Sequence, residues 1–264
     1  MATAAPNQSL PLLYTALTPL NTGQHSKFKI RPLDRAPDFG TTHAVPATVD
    51  EFALLQRHYP IVFSVGDQPI PLALMGLNEG VNVFFDGNGR TEDATLYIPA
   101  YMRRYPFLLA RLQQDSDELS LCFDPNSEAV GEFDEGEPLF DGDQTTQTTQ
   151  NILQFCEQFE TAAQRTGGFV TELKKSGLLM DGEVAIQPPG VEQPFVYRGF
   201  QMVDEEKLRE LRGDELRKMN QNGMLPLIFA HLFSMSHVRD LFSRQVVQGK
   251  GPMAVPAQPE PVEA

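Results

Sequence analysis

The stretch Tyr59-Pro-Ile-Val-Phe-Ser-Val-Gly-Asp-Gln-Pro-Ile-Pro-Leu-Ala-Leu-Met-Gly-Leu77 decides the fold. Its two apolar runs, 61–65 and 71–77, are short and bounded by proline, glycine and aspartate, which is how strands are punctuated. Just upstream, Thr48-Val-Asp-Glu51 has capping-box spacing and predicts a short helix to about His58. Pro60 then stops that helix. Downstream, residues 82–85 read as another strand. Asp86-Gly-Asn-Gly89 reads as a hairpin turn, since Gly and Asn accept positive φ, and 95–98 as the return strand. A short helical segment is expected at 107–112 and a strand at 119–123.

From Gln144 the pattern changes to helix. Ile152, Phe155, Cys156 and Phe159 recur at i, i+3, i+4 and i+7, on one face. Gly167-Gly168 is expected to end this helix. A second short one, 169–175, follows, with Gly177 at its C′ position. Strands are expected at 184–186 and 195–200. Asp204 caps a helix carrying Leu208 and Leu211, Gly213 restarts it through Leu216 and Met219, and Gly223 ends it. The last helix, 225–244, is apolar nearly all round at its start and is expected at the centre of the core. Strands thus dominate the first half and helices the second, predicting one compact α+β domain over 10–245. Residues 1–24 read as an irregular arm and the proline-rich 246–264 as a disordered tail.

The 264 residues carry a formal charge of -14 and are 41% hydrophobic, globular in composition and too acidic as a whole for nucleic acid or anionic membranes. The run 224–235, the longest apolar one, is too short to span a bilayer. The first residues have neither a basic nor an apolar leader segment, so a cytoplasmic protein is expected, with signal-independent export to the cell surface as the alternative. Cys122 and Cys156 match no zinc spacing and read as buried reduced thiols.

His231 and His237, six apart, would point about 240° from one another on a helix and cannot share a metal. His231, beside Phe229, Leu232 and Phe233, reads as a hydrogen-bonded core histidine. The acidic stretch 124–143 lacks the glycine of a calcium loop and reads as solvated. No nucleophile elbow, Walker motif or dinucleotide fingerprint is present, so neither a metal nor a cofactor is expected.

The distinctive block is Tyr97-Ile-Pro-Ala-Tyr-Met-Arg-Arg-Tyr-Pro-Phe107, with three tyrosines, two prolines and two arginines in eleven residues. One reading is a ligand clamp: Arg103 or Arg104 takes a carboxylate or phosphate while Tyr97, Tyr101 and Tyr105 wall the site. The other is structural, with the arginine paired to the protein's own carboxylates.

Together with Tyr59-Pro-Ile-Val-Phe63, Leu74-Met-Gly-Leu77, Asn82-Val-Phe-Phe-Asp86, Glu137-Pro-Leu-Phe-Asp141, Gly177-Leu-Leu179 and Ala230-His-Leu-Phe-Ser234, this block resembles the SapC family of bacterial proteins, from about Leu13 to Leu241. That family takes its name from a surface-layer locus and is sometimes labelled a peptide-transporter permease, a label at odds with a chain that has no apolar span. The resemblance implies an accessory or binding protein linked to surface-layer or nutrient-uptake systems, non-enzymatic, with a small anionic ligand or a protein partner. Many members carry Trp after the Asp-Gly turn, where this chain has Arg90, and the resemblance supplies no catalytic residues. Two alternatives stand beside it: an enzyme acting on a small anionic metabolite through Arg103 and Arg104, and a structural surface-layer subunit.

Overall fold

The middle of the fold is the antiparallel pair Ile61–Ser64 and Pro71–Leu74, with Ile61 opposite Ala73 and Phe63 opposite Pro71. The structure, a computed structural model, describes residues 10–32, 36–112 and 118–251. The pair extends into a five-stranded antiparallel sheet, in the order Leu179–Asp181, Phe200–Val203, Ile61–Ser64, Pro71–Leu74, Ala44–Pro46. Ile61, Val62 and Phe63 are fully buried, so this strand is covered on both faces, which explains its continuous apolar run. The Phe63 ring lies between Phe169 of the long helix and His231. A second sheet joins Thr18–Pro19, Leu119–Phe123 and Phe107–Arg111 over its own core of Phe107, Phe123, Leu139, Phe140 and Cys156. With several small sheets and a helical second half, the fold is α+β.

Local signals placed many elements. The Glu51 carboxylate reaches back to the Thr48 N–H at 3.0 Å. Asp204 accepts from the N–H groups of Glu206 and Lys207 at the start of helix Glu205–Glu210. Gly177 (φ +70°) follows the long helix, and Gly223 (φ +78°) separates Gly213–Gln221 from Met224–Ser234. Both cysteines are buried and free.

Other expectations are corrected. Residues 82–85 and 95–98 form no strands, because Asn82 captures the backbone. Its Oδ1 accepts from the Phe84 and Phe85 N–H groups, and its Nδ2 donates to the carbonyls of Phe39 and Thr42. A side chain that satisfies its neighbours' amides leaves none for a ladder. The Asp86–Gly89 turn does form; Gly89 lies against the Ala36 carbonyl, where a Cβ would collide. Residues 107–111 are a strand, not a helix, since Leu119–Phe123 pairs with them along their whole length.

The long helix runs unbroken from Gln147 to Lys175, through Gly167-Gly168. Two helical glycines cost about 2 kcal/mol, which burial of Phe159, Ala162, Phe169, Val170 and Leu173 exceeds. The last helix is two, Met224–Ser234 and His237–Val247. Its first part is not buried all round: Ile228, His231 and Ser234 are at 0% exposure, Phe229 at 40% and Phe233 at 66%.

Asp124, expected in a solvated stretch, is buried and accepts from the Thr15 N–H, the Thr15 hydroxyl and the Asn126 N–H. The arm packs at Leu13 and Tyr14: both are buried, and the Tyr14 hydroxyl donates to the Phe107 carbonyl. At the other end, Lys250 Nζ donates to the Asn82 carbonyl, beyond the helix end at Val247. Residues 1–9 of the arm and 252–264 of the tail lie outside the described residues.

Candidate functional site

Pro99 opens a single helical turn, Ala100–Arg103, because its fixed φ suits a helix entry. Glu51, buried next to this turn, ties it down. One carboxylate oxygen takes the Thr48 N–H, and the other takes the Ala100 N–H at 2.8 Å and the Tyr97 hydroxyl at 3.0 Å. Burial, then the Glu51 charge, raises the Tyr97 phenol pKa, and Arg103 opposes them.

The adjacent arginines diverge. Arg103 is exposed; Nε donates to the Ile98 carbonyl and Nη2 to the Tyr97 hydroxyl, both at 3.0 Å, with the guanidinium over the rings of Tyr97 and Phe155. Arg104 is buried. Its guanidinium lies 4.2 Å from the Phe159 ring centre, 4.5 Å from Tyr101 and 5.9 Å from Tyr14, and Nη1 is 3.4 Å from Glu160. Its Nε has no hydrogen-bond partner among the described residues. Burial lifts the Glu160 carboxyl above the usual carboxylate range, against the pull of Arg104.

The tyrosines also separate. The Tyr101 hydroxyl donates to the Leu12 carbonyl at 2.8 Å, and its ring lines an apolar crevice of about 180 Å³ between the long helix and Pro46, Ile70 and Pro71. Tyr105 sits edge-on to Tyr14 and Phe39 and borders a different hollow with Asp38 and Ser127. Neither arginine lines either cavity. The block therefore joins the arm, the 48–51 turn and the long helix, and its Tyr101 and Tyr105 border two different cavities.

Two surfaces escaped the sequence reading. One is the exposed pair Phe229 and Phe233, rings stacked at 5.7 Å and 23°. Its signal was present in the sequence, but the apolar run concealed which side faces outward. The other is a polar basin of about 340 Å³ lined by Arg57, His58, Asp93, His237, Asp240 and Arg244. These residues come from three distant segments, and no local spacing announces them.

Among the described residues no group of three His, Cys, Asp or Glu side chains is placed to hold a metal. No helix among them is long and apolar enough to cross a membrane. The chain belongs to the SapC family, whose model matches residues 20–241. No curated protein and no solved structure matches it.

Proposed function

We propose that this SapC-family chain is an accessory protein of the cytoplasm that works by docking a protein component of a nutrient-uptake or surface-layer system. The observation that carries this reading is the exposed Phe229–Phe233 stack on helix Met224–Ser234. Two large rings facing water lose apolar hydration when a partner covers them, and aromatic anchors supply much of the energy of protein interfaces. The neighbouring helix Phe52–Leu55 carries a further exposed apolar residue, Leu54 at 41%.

A photo-crosslinking residue placed at Phe233 in the native cell tests it. Crosslinks to an uptake receptor or a surface-layer component support docking. Crosslinks only to a second copy of the chain favour the structural-subunit alternative, and none at all overturns the proposal.

One observation favours the small-anion clamp as a second reading. Arg103 is exposed, and its partners are a carbonyl and a phenol, with no carboxylate paired to it among the described residues. Arg103→Met abolishes anion binding if this clamp operates.

A further inference from the structure

The basin at the foot of the last helix gathers cations in a chain of net charge -14. Arg57 and His58 enter from the turn after helix Phe52–Leu55, Asp93 from the loop before Leu96, and His237, Asp240 and Arg244 from helix His237–Val247.

The two carboxylates are engaged locally. Asp93 Oδ1 accepts from the Thr95 N–H at 2.9 Å and the Thr95 hydroxyl at 2.6 Å, and Asp240 Oδ2 lies 3.1 Å from His237 Nδ1. The other His237 nitrogen faces the Gln56 carbonyl at 3.0 Å, which locks the ring at the rim. The two guanidinium groups are not so engaged. Neither Arg57 nor Arg244 makes an ion pair or a side-chain hydrogen bond among the described residues. The Arg244 guanidinium lies over the Phe84 ring, 5.0 Å from its centre, a cation–π contact that uses none of its N–H groups.

Two arginines and two aspartates line the basin. Burial first, then the Arg57 charge, lowers the His58 pKa; Asp93 opposes them, and His237 and Arg244 add smaller effects in the lowering direction. Phe84, Leu96 and Leu241 supply an apolar wall beside these donors. Guanidinium groups and an imidazole whose side chains have no hydrogen-bond partner among the described residues, beside an apolar wall in one concavity, suit a ligand with a charged head and an apolar body.

We propose that this basin binds a small organic anion, a carboxylate or phosphate monoester, with its charged group between Arg57 and Arg244 and its apolar body against Phe84 and Leu96. The site is separate from the Phe229–Phe233 surface and does not depend on protein docking.

Titration calorimetry at fixed ionic strength, with phenyl phosphate, benzoate, inorganic phosphate and benzyl alcohol as probes, tests it. Phenyl phosphate or benzoate should bind at one site, and benzyl alcohol should not. Arg57→Met and Arg244→Met should each weaken binding about tenfold or more, the scale of a lost charge-assisted hydrogen bond. Arg165→Met, at an exposed arginine paired with Asp50, should leave it unchanged. Arg57 is exposed, so that variant remains informative if Arg244→Met perturbs folding, which circular dichroism reports. Whether phenyl phosphate or benzoate binds more tightly distinguishes the two head groups. Three outcomes overturn the proposal: no binding of either organic anion, binding that survives the Arg57→Met/Arg244→Met double variant, or binding abolished by Arg103→Met alone.

Discussion

His231 Nδ1 lies 2.6 Å from the Ile61 carbonyl oxygen, with the ring wedged between two strands of the central sheet. The other ring nitrogen accepts the Val203 N–H at 3.0 Å, so the proton sits on Nδ1 and the ring is neutral. Strands Ile61–Ser64 and Phe200–Val203 pair at Phe200–Ser64 and Gln201–Phe63, and beyond that point the imidazole takes the place of the ladder. Ser234, one turn on, accepts the Ile61 N–H at 2.8 Å and donates to the His231 carbonyl. Both backbone groups of Ile61 are thus satisfied from helix Met224–Ser234, which fixes the helix on the sheet and turns Phe229 and Phe233 to solvent.

This wedge should make stability depend on pH. Burial lowers the His231 pKa from 6.5 to about 4. The unfolded chain therefore binds the extra proton between these values, so the contribution is complete above about 6.5 and is lost as pH falls toward 4. The loss is on the order of 3 kcal/mol. His231→Gln keeps a donor and an acceptor but does not titrate, so urea midpoints should fall less between pH 7 and pH 4.5 than in the native chain. His25 and His58 are shifted the same way but are present in both proteins, so they cancel. Equal falls would refute the assignment.

Glu51 should be a stability residue. Glu51→Ala leaves the Thr48 and Ala100 N–H groups without their acceptor and should cost about 2–4 kcal/mol by urea denaturation. Tyr97→Phe, which removes only the hydroxyl, should cost about 1 kcal/mol or less. A neutral Glu51→Ala variant would mean that the 48–51 turn and the 97–107 block are not coupled.

The two arginines should behave differently. Arg104→Met deprives Glu160 of its partner and three rings of a cation, and should lower stability by about 1–2 kcal/mol. Arg103→Met, at the surface, should change it by less than about 1 kcal/mol. Thermal melts of both variants decide this, and a larger loss from Arg103→Met would contradict the described packing.

Neighbouring positions on helix Met224–Ser234 should split sharply. Ile228→Ala should cost about 2–5 kcal/mol through lost burial and a cavity, whereas Phe229→Ala should cost less than about 1 kcal/mol. Comparable losses at the two positions would show that the Phe229 face is covered.

What the sequence determined was local. Asp204, Gly177, Gly223 and the Thr48–Glu51 pair act on amides within a few residues, so their helix ends could be read directly. The uninterrupted apolar run 61–63 required a buried strand, and the quoted blocks carried the family. Tertiary structure decided whatever depended on distant neighbours. Phe107–Arg111 became a strand only because Leu119–Phe123 returns beside it, and 82–85 did not because Asn82 reached Phe39 and Thr42. The exposure of Phe229 and the meeting of Arg57 with Arg244 have the same origin. Periodicity says that a helix has an apolar side, but which side is covered, and which charges share a basin, depends on elements more than a hundred residues away in the chain.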